Sequence, residues 1–372
     1  MNKIPSELFI QLYQSPEKAL DLDLAQWQTL IFVLRHNQLL ARYQFIFARA
    51  GIFELLPEYA RHHLTNAKIL SQKQHQQVFY EAKAIVNAYE FNSEHKIFLK
   101  GAAYTLSGQT AGVGRVYSDI DILVDKHNID EIEKSLVFSG WLSEKITKYD
   151  NDYYRNWSHE IPPLRHGRRG TILDIHHNIV PTISGRAPVI SDFFAQVEKT
   201  KDGFSVLSPA AMTLHSIIHL FFNDDVKNGF RDLLDLDLLM TNNGSDNYWE
   251  TLIQLAIKTN FIFELKLAVR YLTKKLQTPI PENVLAQLNL AESPSLKILD
   301  FIYISVLLPS HPLVENKMYN LANTMAMYRG HWQKMPVHIL IYHLSFKGIR
   351  NVIEYALGKT FFLKDEATHK QF

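Results

Sequence analysis

The sequence predicts an α+β protein, with a small mixed-sheet core flanked by N- and C-terminal helical regions. Three observations carry this. Apolar residues recur at three and four through most of residues 1–93, the pattern changes to short extended runs broken by glycine turns over 94–207, and the helical period returns over 208–372. These stretches are expected to be an N-terminal helical region, an α/β core and a C-terminal helical domain.

The elements follow in order. "WQTLIFVLRHNQLLARYQFIF" has helical spacing, and Pro57 falls between two such patterns. In "HKIFLKGAAYTL" a short apolar strand reaches a Lys100–Gly101 turn and then a helix-forming start. The small-residue loop "SGQTAGVGRVY" leads to the strand "DIDILVD", and an Asn or Asp near the start with Gly140 near the end brackets an amphipathic helix in "KHNIDEIEKSLVFSGW". "WSHEIPPLRHG" and "GTILDIHHNIV" read as strands joined around Gly167 to Gly170, with the proline pair marking the first as bulged or at an edge. "VEKTKDGFSVLS" holds an Asp-Gly turn between extended pieces. Ser208 in cap position and Pro209 in the first turn then open the helix "SPAAMTLHSIIHLFF".

Composition narrows the chemistry. In 372 residues, 39 Lys and Arg nearly cancel 38 Asp and Glu, so no global positive field gathers nucleic acid or a membrane surface. Cysteine is absent, which excludes disulfides, thiolate metal sites and cysteine nucleophiles together. Oxygen and imidazole metals remain. "MNKIPSELFIQLYQ" lacks a basic-then-apolar leader, and Asp300 interrupts the apolar stretch "ILDFIYISVLLP" well short of a membrane span. The expectation is a cytoplasmic protein without a membrane partner or an obligate nucleic acid.

The chemistry concentrates in "GRVYSDIDILVD". Residues two apart on a strand share a face, so Asp119 and Asp121 project together. Two carboxylates about 4 Å apart repel by roughly 4 kcal/mol at a protein-like dielectric. A cation between them, or a proton on one, must answer this. Magnesium or manganese suits oxygen ligands at such a spacing and takes substrate phosphates as well. A two-ion site calls for a third carboxylate from another strand. Asp174, in "TILDIHHNI", is the candidate. The plainer alternative for Asp-x-Asp is a turn or cap ligand for backbone amides.

These residues carry a family likeness. "FLKGAAYTLSGQTAGVGRVYSDIDILVD" resembles the signature of the uncharacterised nucleotidyltransferase family, within the DNA polymerase β-like superfamily, where a strand ends in Lys-Gly and Arg-x-x-Ser-Asp-Ile-Asp closes the motif. "ILDIHHNI" and "LHSIIHLFFNDDVKNGFRDLLDLDLL" extend the resemblance. It implies a polymerase β-like core in which Asp119 and Asp121 bind two magnesium or manganese ions, while Asp174 binds one and orients or deprotonates the acceptor. Lys100, Gly101, Arg115 and Ser118 would serve the nucleotide. The implied reaction moves a nucleoside monophosphate from a triphosphate such as ATP to a hydroxyl of an unidentified protein, RNA or small molecule, releasing pyrophosphate. A catalytically inactive nucleotide-binding or regulatory protein and a phosphohydrolase are the alternatives. Here Gly101 is followed by Ala102 and Ala103, where superfamily members usually carry Gly-Gly or Gly-Ser.

Other residues are open to two readings. His176 shares the face of Asp174 and could hold phosphate, relay a proton, ligate metal, or simply form a hydrogen-bonded cleft wall. His215 and His219, four apart, read as a packed pair or a substrate contact. Arg231 and Asp235 have the spacing of an i,i+4 pair, and the resemblance brings Arg231 or Asp232 to the cleft. "RHGRRG", from Arg165, is a solvated turn or a dock for an anionic acceptor such as RNA. The late "FKGIRNVIEYALGKTFFLK" is a basic amphipathic pattern expected to pack on the core.

Overall fold

A computed structural model describes residues 2–88, 96–143 and 146–357. Its central feature is a seven-stranded mixed sheet. The strands are β1 (Ile97–Phe98), β2 (Ile120–Leu123), β3 (Trp141–Ser143), β4 (Leu164–His166), β5 (Ile172–His176), β6 (Val197–Lys199) and β7 (Ser205–Leu207). They lie in the order β3-β4-β5-β2-β1-β7-β6, with β2 parallel to β5 and β1 parallel to β7. The remaining neighbours are antiparallel.

Local chemistry accounts for the elements. Asp23 and Gln26 form a reciprocal capping box at the start of the helix Leu24–His36. Pro57 separates the helices Leu40–Arg49 and Glu58–Ala88. Asp125 accepts from the His127 amide to start the turn that enters the helix Ile129–Phe138, and Gly140 follows it at φ 89°. Gly203, at φ 84°, closes the β6–β7 hairpin. Ser208 caps Pro209–Phe222, as its sequence anticipates.

The proline pair does produce a bulge. Glu160 stands opposite His176 while Leu164 stands opposite Leu173, so the proline strand carries one extra residue over the same span. An edge position is not observed, because β3 pairs along the outer side of β4.

Helices from both ends of the chain cover this sheet. Pro209–Phe222 is buried along nearly its whole length and packs against Gly229–Asn243, Asp246–Lys258 and Ile262–Tyr271. A two-residue parallel pair, Ile4–Pro5 with Val314–Glu315, joins the N-terminal segment to the late helices. Two buried ionic contacts fix the helices to the core. Arg42 and Arg115 both reach Asp235, and Glu81 holds the Arg169 Nε at 2.7 Å and the Thr171 hydroxyl at 2.7 Å. The "RHGRRG" turn is therefore stapled to the helix Glu58–Ala88 through Arg169, whose guanidinium also lies over Trp141.

The late basic helix forms as Val337–Leu357, while residues 358–364 of its quoted stretch lie outside the described residues. Ile341, Leu344 and Ile349 are exposed, contrary to the expected core packing, and its contacts include Phe346 stacked on Tyr149 at 3.9 Å and Arg350 paired with Asp150 at 3.1 Å. Among the described residues, no helix is long and apolar enough to cross a membrane.

Gly114 connects the sheet to the N-terminal helices. At φ 68°, a Cβ there would lie 2.7 Å from the Arg42 Cα. Gly108 shares that φ of 68° yet faces open space. In urea unfolding, Gly108→Ala should cost about 1–2 kcal/mol, the left-handed penalty alone, and Gly114→Ala clearly more. Equal costs would show that the close approach is unimportant.

Candidate active site

The site starts from strand register. β2 and β5 are parallel neighbours with Asp121 directly opposite Asp174, so their side chains leave the same face of the sheet. Asp119 stands one residue before β2. Apolar neighbours hold these strands in place, since Ile120, Ile122, Leu173 and Ile175 are all buried.

Cations answer Asp121. Lys100 Nζ lies 2.7 Å from its Oδ1, and His176 Nε2 lies 2.9 Å from the same oxygen. Burial by itself would raise the Asp121 carboxyl, but Lys100 and His176 outweigh it and hold the group well below the usual carboxylate range. Lys100 shows the reciprocal effect, with Asp121 overcoming burial to raise its ammonium. Lys100 also sits at φ 46°, a sparsely populated conformation for a residue with a Cβ.

Asp174 has no such answer. Its Oδ1 is buried and has no hydrogen-bond partner. Burial, then the charge of Asp121, pushes its carboxyl up to about 7. Burial and Asp121 raise Asp119 too. The cluster thus has more negative charge than its neighbours neutralise, and a free buried oxygen on the carboxylate facing Asp121. That donor set, oxygen-only and crowded, fits magnesium or manganese.

A cleft of about 220 Å³ opens beside Asp119 and Asp121. Lys100, Gly101, Arg115 and Ser118 line it, as do Arg231 and His219 from the C-terminal helices. Gly101 has a steric reason to be glycine, because a Cβ would come within 2.8 Å of the Arg115 Nε. Ala102 and Ala103, by contrast, point into the core, while the exposed Ser118 donates to Asp119 at 3.0 Å. Tyr104 lines the cleft and bonds Ser216 at 2.6 Å.

Asp235 is not the partner of Arg231. It takes Arg42 at 2.6 Å and Arg115, whereas Arg231 bonds its neighbour Asp232 at 3.0 Å and Gln38. Both Arg231 and Asp232 therefore face the cleft. His215 is buried in the helix packing, and His219, pushed down to about 3 by burial and then by Lys100, presents a neutral ring to the cleft. A second cleft of about 160 Å³ lies on the other side of Asp119, sharing Tyr117, Ser118 and Asp119 with the first and adding Gln74 and Gln77.

Sequence reasoning missed Glu160. Its Oε2 lies 3.5 Å from His176 Nδ1, and its charge also presses on Asp174. The available signal was "SHEIPP" alone, since the bulge that aligns Glu160 with His176 cannot be counted from the sequence.

No curated protein and no solved structure gives a significant match. A family model described as uncharacterised nucleotidyltransferase matches residues 23–276, which is more than half of the chain and includes the strand pair and the cleft. The chain belongs to the uncharacterised nucleotidyltransferase family.

Proposed function

We propose that the protein is a metal-dependent nucleotidyltransferase with a polymerase β-like core, transferring a nucleoside monophosphate from a triphosphate to an acceptor hydroxyl. The observation that carries the reading is the in-register pair Asp121 and Asp174, the second with an unpartnered buried oxygen. Asp119, Asp121 and Asp174 would hold magnesium or manganese, which when bound supplies charge neutralisation at the reacting phosphate and lowers the pKa of the attacking hydroxyl.

The protein's own groups do the rest. Lys100 and Arg231 line the larger cleft and give it the positive charge that a triphosphate needs, with Ser118 at its rim. Arg115 lines the same cleft and, engaged by Asp235, holds the wall in position. The acceptor enters from the Gln74 side, where the smaller cleft meets Asp119. Asp174, in register with Asp121, would orient the acceptor hydroxyl or take its proton. The acceptor oxygen forms its bond to the α-phosphorus as the α–β bridge breaks, and the bond electrons leave with pyrophosphate. Charge and position supply the catalysis.

Incubation with each labelled triphosphate, magnesium and candidate acceptors should give pyrophosphate. Asp174→Asn should lower the rate by about 10²–10⁴-fold with little change in triphosphate affinity, whereas Arg231→Ala should mainly weaken triphosphate binding. Free phosphate as the product would point to hydrolysis instead, and nucleotide binding indifferent to Asp174 without turnover would point to a binding protein.

A second outcome follows from the raised carboxyl. Asp174 holds its proton more tightly folded, near 7, than at its ordinary 3.8, so its stabilising contribution is complete at low pH and is lost as pH rises toward 7. In chelator, the thermal midpoint of Asp174→Asn should gain on that of the unmodified protein between pH 4.5 and pH 7.5, and manganese should reverse the order. Parallel pH curves would contradict the assigned burial of an ionised Asp174.

A further inference from the structure

A second group of metal-ligating atoms lies behind Asp121. One ligand atom each from His159, Glu160 and His176 falls within 4.8 Å of the other two. The backbone fixes this cluster. Glu160 bridges His176 across the sheet, and the His159 carbonyl accepts from the amides of His177 at 2.8 Å and Asn178 at 3.2 Å. The two imidazole rings sit 5.3 Å apart.

The contacts of His176 turn its second ring nitrogen toward the cluster. Asp121 accepts from His176 Nε2 at 2.9 Å, which fixes the ring and directs Nδ1 toward Glu160. Nδ1 lies 3.5 Å from Glu160 Oε2. That separation is long for a hydrogen bond and close to the edge of a tetrahedron built on metal–ligand bonds of about 2.1 Å, roughly 3.4 Å. Independently, His159 Nδ1 is buried with no hydrogen-bond partner. Glu160 keeps its side chain 27% exposed, which gives an ion a way in.

We infer that His159, Glu160 and His176 form a binding site for a zinc-class divalent cation, separate from the aspartate cluster and joined to it through the His176 ring. Two imidazoles and one carboxylate suit zinc, cobalt or nickel rather than magnesium, and three ligands leave a position for water. Asp121 acts as the outer carboxylate that orients the histidine, so an ion here fixes the tautomer and position of a ring bonded to the aspartate cluster. The inference does not depend on nucleotidyl transfer.

The test uses the full chain, stripped with chelator and titrated with zinc or cobalt in millimolar magnesium, followed by calorimetry and the visible spectrum of cobalt. One equivalent should bind, with the intense bands of four- or five-coordinate cobalt. His159→Ala and Glu160→Gln should each weaken it by about 100-fold or more, Asp121→Asn by about 10–100-fold, and Asp119→Asn not at all. Circular dichroism in chelator checks that each variant folds, and His159→Gln replaces the alanine if it does not. Zinc binding equal in all variants, lost only in Asp119→Asn, or absent from the unmodified protein would overturn the site. The last result would mean that a protonated His176 bridges Asp121 and Glu160.

Discussion

Asp121 and Asp174 are forced together by the pairing of two parallel strands. Neighbouring strands lie about 4.8 Å apart, and residues in register leave the sheet on the same side, so the backbone sets the distance between these carboxylates. Hydrophobic burial supplies the force that keeps it there, through Ile120, Ile122, Leu173 and Ile175. The site's repulsion is therefore held by paired, buried strands. Lys100 and His176 neutralise one member, and the other remains with a free buried oxygen.

The cleft beside this pair depends on a buried ionic junction. Arg42 comes from an N-terminal helix, Arg115 from the loop before β2 and Asp235 from a C-terminal helix, so three distant segments meet at one carboxylate. Burial lowers both guanidinium groups, Arg115 to about 10, and their shared partner offsets that cost. Such a junction adds little net stability compared with an apolar one, but removing one partner strands the others in a low-dielectric interior. It fixes where the C-terminal helices sit, and so where Arg231 and His219 enter the cleft.

What the sequence made legible was local. The two-residue spacing of Asp119 and Asp121, the Ser208–Pro209 helix start and the Asp-Gly hairpin each involve neighbours whose geometry is fixed by a few dihedrals. The proline pair told of a bulge but not of β3, which covers the strand it interrupts. Asp235 looked like the partner of Arg231 because both lie on one helix, and the buried competitors Arg42 and Arg115 lie far off in the chain. "RHGRRG" looked like an open basic turn because its counter-ion, Glu81, belongs to the N-terminal helices. Glu160 was invisible for the same reason, since a one-residue bulge decides what it faces.

We propose that the β2–β5 register creates a divalent-cation site. Manganese introduced into crystals with a nonhydrolysable triphosphate tests it most directly, because anomalous scattering locates the ion without assumption about its ligands. Density is expected within bonding distance of Asp119, Asp121 and Asp174, with the triphosphate in the cleft of Lys100 and Arg231. Manganese elsewhere, with Asp174 turned from Asp121 and still unliganded, would contradict it.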